Sequence, residues 1–184
     1  MKFVLARHCE TDWNRIPRIQ GRTDTLLNTR GKLQAGALAN ELEPVKPKIS
    51  MIFSSDLKRA SETAEIIGKH LSVPVYLDKR LRECNHGVFD GLTNQEAGQK
   101  YGVDAVKAAF AAEHFHYDFT PYGGESKTAV AQRHLDLLGE LTDNYPKDTI
   151  LLIGHGRGLN TLLAVLDYEI GLKREEYRVI EYPR

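Results

Sequence analysis

The chain has 184 residues, 41% of them hydrophobic and 27% charged, with 25 Lys plus Arg against 25 Asp plus Glu. At about 100–200 residues per domain this reads as a single domain, 1–184, with enough apolar side chains for a core; the composition is neither disordered nor fibrous. A net charge of zero gives no electrostatic reason to expect nucleic acid or an anionic membrane as partner, and no apolar run approaches the roughly 18 residues of a transmembrane helix.

The opening, MKFVLARHCETDW, has one Lys and a short apolar stretch that stops at Arg7. It is too short for a signal peptide and predicts a first strand over residues 2–6. Cys9 and Cys84 make no disulfide framework, so a reducing cytoplasm is the expected setting. Thr29 is the expected N-cap of a helix carrying Leu33, Ala37, Leu38 and Leu42, closed by Pro44 and Pro47. Residues 49–53 (ISMIF) predict a second strand, followed by the turn Ser54-Ser55-Asp56. Ala60, Ala64, Ile67 and Leu71 recur at helical spacing. A short third strand is expected over 73–77. Residues 93–119 read as irregular helix rich in aromatics, and 125–144 as a helix with Val130, Leu137, Leu138 and Leu141 on one side. TILLI (149–153) is a continuous apolar strand, then come the turn Gly154-His155-Gly156 and an apolar helix through Leu166. Residues 177–182 predict an edge strand.

Strands alternating with helices imply an α/β protein, a three-layer α/β/α sandwich around a mostly parallel sheet. Ligands bind such sheets beyond the carboxyl ends of the strands. The unusual polar residues fall there: Arg7 and His8 after the first strand, Ser54 to Arg59 after the second, His155 after TILLI. Two imidazoles and two guanidiniums on one rim point to phosphate. Arg presents a fork of donors that matches a tetrahedral anion. A neutral imidazole is a competent nucleophile toward phosphorus, and a second, protonated one stabilises charge on the equatorial oxygens. Glu83, in Leu81-Arg82-Glu83-Cys84-Asn85-His86-Gly87, is the best candidate for the acid that protonates the leaving alkoxide.

These residues carry a family resemblance. Ala6-Arg7-His8-Cys9-Glu10-Thr11-Asp12-Trp13-Asn14 resembles the signature of the histidine phosphatase superfamily, the phosphoglycerate mutase-like enzymes. The likeness continues through Gln20-Gly21-Arg22-Thr23-Asp24, Leu27-Asn28-Thr29-Arg30-Gly31, Ser54-Ser55-Asp56-Leu57-Lys58-Arg59-Ala60, Leu81-Arg82-Glu83, Gly123-Gly124-Glu125-Ser126 and Gly154-His155-Gly156. Together the motifs are highly specific. The resemblance implies that His8 becomes phosphorylated, that Arg7, Arg59 and His155 hold the phosphoryl group, and that Asn14 and the Gly156 amide add donors. Thr11, Gln20 and Gly21 fall at positions lining the pocket. Glu83 would donate a proton to the leaving group and then activate water. No metal and no cofactor is implied.

Two positions depart from the pattern. Cys9 stands where Gly is usual, placing an oxidisable thiol beside the phosphate pocket. Arg157 follows Gly156 where the family often has a smaller or neutral residue; it either adds a cation to the pocket mouth or faces solvent. Cys84, His86, His114 and His116 match no zinc spacing and read as surface and lid residues. Arg15, Arg18, Arg22 and Arg30 read as a solvated rim. Phe110, Phe115, Tyr117, Phe119 and Tyr122 read either as packing or as a lid, within a lid or specificity insertion at 91–124.

The expected function is therefore a metal-independent phosphatase of small phosphorylated metabolites. Alternatives are a phosphoglycerate mutase using the same phosphohistidine, a protein phosphohistidine phosphatase, and a binding module that has lost catalysis. The short span from Gly91 to Gly124, with Lys100 and Lys107 as its only cations at neutral pH, favours hydrolysis over mutation. The expected partner is a small metabolite, and, on general frequency alone, a second copy in a homodimer.

Overall fold

The computed structural model describes residues 1–16, 18–45, 48–110 and 117–183. Five strands form one sheet in the order β3-β2-β4-β1-β5. β1 (Lys2–Arg7) and β4 (Thr149–Gly154) pair in parallel, as do β4 and β2 (Met51–Ser54), and β2 and β3 (Val75–Leu77). β5 (Tyr177–Glu181) runs antiparallel to β1 at the edge. Every residue of β4 is buried, which is why TILLI is apolar without alternation.

The helices are α1 (Asp12–Arg15), α2 (Thr29–Leu42), α3 (Lys58–Leu71), α4 (Asn94–Tyr101), α5 (Val103–Phe110), α6 (Lys127–Asn144) and α7 (Gly156–Val165). Two sheet faces make two cores. Val4, Ala6, Ile52, Leu151 and Ile153 pack against α2 and α3. Phe3, Leu5, Ile150 and Leu152 pack against α6 and α7. A third cluster, built on Phe89, Ala97, Val106, Ala109 and Phe119, lies under α4 and α5. The alternation of strand and helix thus yields the expected three layers.

Several local expectations change. Asn28, not Thr29, caps α2, its side chain accepting from the Gly31 amide. Leu33 is 72% exposed and Ala37 is exposed too; the buried stripe of α2 is instead Gly31, Gln34, Ala35, Leu38, Ala39 and Leu42. The stripe shifts because α2 lies tight on the 8–10 loop: a Cβ on Gly31 would sit 2.0 Å from the Glu10 carbonyl oxygen. The stripe on α3 is as expected, with Ala60, Ala64, Ile67 and Leu71 buried. β3 begins at Val75 because Ser72 turns left-handed and the Val73 amide is spent on the Gly68 carbonyl, while Pro74 has no amide to give. Gly102, at φ 94, separates α4 from α5. Pro47, His114, Phe115 and His116 lie outside the described residues.

The strands end at one level. Arg7 lies opposite Gly154, and both Ala6 and Ser54 lie opposite Ile153. The His8 amide still reaches the Gly154 carbonyl at 2.9 Å and the Ser55 amide the Ile153 carbonyl at 2.9 Å. His8, Ser55 and His155 therefore leave the sheet side by side.

One buried histidine of α6 makes the fold sensitive to acid. Burial, then the Arg133 charge, pushes the His134 imidazole down to about 4, against about 6.5 in an unfolded chain. Between those values the unfolded chain takes up a proton that the folded one refuses, so stability falls as pH drops from about 6.5 toward 4. The loss from His134 alone is about 3 kcal/mol. Denaturant titrations between pH 7 and 4.5 should show it, and His134→Leu should flatten the slope; identical slopes would acquit His134.

Candidate active site

His8 and His155 are both buried, with ring centroids 5.1 Å apart. His8 Nδ1 lies 2.8 Å from the Cys9 carbonyl oxygen. A carbonyl only accepts, so Nδ1 carries the hydrogen and Nε2 keeps its lone pair. Burial, then the charges of Arg59 and Arg7, hold the His8 imidazole well below its ordinary range. His8 is thus an unprotonated imidazole at neutral pH, with the lone pair on Nε2. His155 Nε2 lies 2.8 Å from Ser55 Oγ, and its Nδ1 is buried with no protein partner. Sequence reasoning gave Ser55 no role. Its motif was visible, but only the strand register puts its hydroxyl beside His155.

Arg59, in the first turn of α3, is 1% exposed and donates to the carbonyls of Thr23 (2.8 Å) and Gly21 (2.6 Å). Burial pushes its guanidinium down to about 10, so it stays charged at neutral pH. The Nε atoms of Arg7 and Arg59 are both buried without a protein partner. Arg7 lies flat against the start of α7, where a Cβ on Gly156 would come within 3.0 Å of Arg7 Cζ. A side chain there would have to push the guanidinium aside.

The Glu83 carboxylate is 9% exposed and caps α7 from outside the helix. Oε1 accepts from the amides of Cys84 (2.8 Å) and Gly158 (2.9 Å), and Oε2 from the amide of Arg157 (3.2 Å). Burial alone would raise this carboxyl. The coulombic effect of nearby His86 and the three amides outweigh it, and hold Glu83 below the usual carboxylate range. A raised value, the simplest expectation for a proton donor, is not what the unliganded site gives.

The 83–87 loop is pinned from behind. Glu125, from the Gly-Gly-Glu-Ser motif, accepts from the Asn85 amide (2.9 Å), Arg22 (2.8 Å) and Arg133 (3.2 Å). Arg133 also donates to the Glu83 carbonyl at 3.1 Å. Arg22 is therefore part of the site's scaffold and not a solvated rim residue. Gly87, at φ 62, touches the next segment so closely that a Cβ would lie 1.9 Å from the Tyr122 carbonyl oxygen.

The resulting cleft has a volume of about 500 Å³. Arg7, His8, Asn14, Gln20, Gly21, Arg59, Glu83 and Gly156 form its wall. Thr11 and His155, both 0% exposed, stand one layer behind. Asn14 Oδ1 accepts from the Thr11 amide (3.0 Å), and Gln20 Oε1 from the Thr11 and Thr25 hydroxyls (3.0 and 2.8 Å), which leaves the amide nitrogens of those two residues as the donors for a ligand. Arg18, Arg157 and Lys173 also line the cleft. Its additional cations thus come from outside the 91–124 span, which the count of Lys100 and Lys107 could not reveal. Arg18 contacts the Gly91 carbonyl and Glu96. Arg157 donates to the Ala109 carbonyl at 2.8 Å and lies over the Phe119 and Phe110 rings at 5.1 and 5.7 Å. It ties α7 to α5 at the cleft mouth. The aromatic residues Phe110, Tyr117, Phe119 and Tyr122 do pack together. Among the described residues, no three His, Cys, Asp or Glu side chains gather where they could hold a metal ion, and no helix is long and apolar enough to cross a membrane.

The histidine phosphatase superfamily (branch 1) model matches residues 3–182. The chain belongs to that superfamily. It is 35% identical to a glucosyl-3-phosphoglycerate phosphatase of Mycolicibacterium vanbaalenii, over 97% of this chain and 78% of that one. It is 39% identical to phosphoglycerate mutase-like protein 4 of Arabidopsis thaliana, over 88% and 69%. Among solved structures, Bacillus stearothermophilus YhfR superposes with a TM-score of 0.85 at 32% identity, over 99% of this chain and 91% of that one.

This histidine phosphatase keeps its unusual Cys9 out of chemistry. Cys9 is 0% exposed, and burial pushes its thiol up to about 12. Burial and the Glu83 charge also raise Cys84, which is 2% exposed. Both thiols should resist a disulfide reagent at pH 8 until the protein unfolds. Stoichiometric labelling of the native protein would contradict the burial described.

Proposed function

We infer that the protein is a phosphoric monoester hydrolase that acts on small phosphorylated metabolites through a phosphohistidine on His8. The observation that carries this reading is the Cys9 carbonyl on His8 Nδ1, which commits Nε2 to attack from a wall that also presents Arg7, Arg59 and Glu83. The phosphoryl group would sit among the two guanidiniums, the amide nitrogens of Asn14 and Gln20 and the Gly156 end of α7, a helix N-terminus suited to an anion. His155, set against His8 and oriented by Ser55, would supply positive charge once the dianion is bound. Nε2 attacks phosphorus, the P–O bond to the alcohol breaks, and Glu83 protonates the departing oxygen. The carboxylate then takes a proton from water, which attacks phosphorus and frees His8. The 91–124 segment would cover the alcohol part of the substrate, with Arg157 as its anchor to α7.

Phosphatase names among the relatives support hydrolysis of small molecules. The mutase reading is less favoured. A mutase must retain its product and exclude water while phosphorylated. Here the cations Arg18 and Arg157 are already committed to protein carbonyls. Phosphate release from p-nitrophenyl phosphate tests the reading directly and should persist in EDTA, since guanidiniums neutralise the phosphate. A phosphoenzyme trapped during turnover should be acid-labile and alkali-stable, and absent in His8→Ala. With 3-phosphoglycerate, interconversion to the 2-isomer should be negligible beside phosphate release. Faster interconversion, or an acid-stable phosphoester, would overturn the corresponding part of the assignment.

The low Glu83 value sets the pH dependence. With Glu83 ionised in the free enzyme, the proton for the leaving group must arrive with the substrate, as the phosphate monoanion. For alkyl phosphates kcat/KM should therefore fall tenfold per pH unit above the second phosphate ionisation, near about 6. Glu83→Gln should cost about 10²–10⁴ in rate with an alkoxide leaving group and less in the burst with p-nitrophenolate, which needs no acid. Equal burst losses for both would remove Glu83 from the acid role.

A further inference from the structure

A second, smaller pocket of about 270 Å³ shares Arg7 and Lys173 with the cleft and no other lining residue. Arg7 therefore stands between the two volumes. The rest of the pocket comes from Glu10, from Arg30 and Gln34 of α2, and from Arg174 and Glu175 ahead of β5. Both of its carboxylates are already engaged. Glu10 accepts from the Asn28 side chain at 2.9 Å and lies 3.9 Å from Arg30. Glu175 accepts from Gln34 Nε2 at 2.5 Å, and Gln34 in turn accepts from the Glu10 amide at 2.9 Å. Lys173 has Glu176 at 3.8 Å. Arg174 is different: among the described residues no carboxylate forms an ion pair with it and no hydrogen bond engages its guanidinium. Its charge still reaches the cleft, where it lowers Arg7, second only to burial, and opposes protonation of His8.

Arg174 is not free to swing away. Glu175 takes the left-handed backbone, at φ 67, and its bond to Gln34 holds that turn against the start of α2. Two guanidiniums thus face one pocket with no counter-charge of their own, and a guanidinium pair matches a tetrahedral oxyanion. The volume falls just below the range of about 300–1,000 Å³ usual for small-molecule sites, which suits a small ion. A second anionic group on the substrate fits less well, because the leaving alcohol heads toward Glu83, and that side of the cleft shares no residue with the pocket. We propose that this pocket is a second oxyanion site, which holds free inorganic phosphate between Arg174 and Arg7 and weakens the grip of Arg7 on the transferring phosphoryl group. The site itself is independent of the phosphatase reading; its effect on turnover rests on that reading. Two anions that share one arginine oppose each other, so the coupling is negative. Phosphate is the product of the proposed reaction, and an enzyme built this way slows as product accumulates even when substrate saturates the cleft.

Inorganic phosphate titrated into 15N-labelled protein tests the site directly. The amides of Gly156 and Arg157 report the cleft, and those of Gly31, Gln34 and Glu175 the second pocket. In the wild type both groups should shift and saturate. In Arg174→Gln the second group should need about fivefold to tenfold more phosphate while the first titrates as before. If that variant fails to fold, Arg30→Gln should weaken the second group alone by about twofold to fivefold. Shifts confined to the cleft amides, or second-pocket shifts that never saturate, would overturn the proposal. In turnover, phosphate should lower the wild-type kcat for saturating p-nitrophenyl phosphate by about twofold to fivefold, and Arg174→Gln should leave purely competitive inhibition. Purely competitive inhibition of the wild type defeats the coupling to Arg7. Suppose instead that Arg174→Gln removes a preference for 1,3-propanediol bisphosphate over propyl phosphate and leaves phosphate binding untouched. The pocket then serves the substrate's own second anion, and the proposal falls. Two saturating groups of amides without any turnover would keep the site and remove the phosphatase reading.

Discussion

Arg59 leaves water almost completely, and the carbonyls of Gly21 and Thr23 replace only part of its hydration. Arg7 stands beside it, also largely desolvated; its charge lowers the pKa of Arg59, while burial and Arg174 lower its own. Charges of one sign held together out of water are costly unless something of opposite sign is near. Glu83 supplies some of that, and acts favourably on both arginines. Most of the remaining architecture keeps these three groups from relaxing apart. The level ends of β1, β2 and β4 fix where Arg7 begins, α3 fixes Arg59, and the first amides of α7 fix Glu83.

The same crowding explains why both site imidazoles are neutral in the unliganded protein. Arg59 and Arg7 oppose a further positive charge on His8 and His155, adding to burial in each case. In the proposed mechanism His8 therefore needs no separate base to attack phosphorus. For Glu83 the effect is inverted: surrounded by donors, it is ionised before substrate arrives. In the proposed mechanism a bound phosphate dianion would reverse the local field and push Glu83 and His155 toward protonation, as their proposed roles require. On that reading the acid–base roles would be set by the substrate's own charge.

The strand–helix alternation, the α3 stripe and the His8, Arg59, Glu83 and His155 motifs could be read from residue types because each depends on local spacing or on a short motif. What escaped depended on register or on contacts between distant segments. Leu33 has the right period on α2 but the wrong phase, since Gly31 against the Glu10 carbonyl sets how the helix rolls. Ser55 is adjacent to His155 only because β2 pairs with β4. Arg22 looks solvated until Glu125, over a hundred residues on, is placed against it. His86 reads as surface because neither Asp90 nor Phe110 announces that it folds over the ring. In each case the missing quantity was a long-range distance.

Gly87 and Gly124 interlock: a Cβ on the first would strike the Tyr122 carbonyl, and one on the second would lie 2.3 Å from the Asn85 carbonyl oxygen. The loop bearing Glu83 and the turn closing the 91–124 segment are thus a single mechanical joint with no slack for a methyl group. Exchanging that segment with a relative's would move Glu83 unless residues 85–87 and 119–125 travelled with it. Recombination within this architecture therefore has a natural cassette whose ends lie outside 91–124, and shuffling that cuts at those borders would misplace the Glu83 carboxylate.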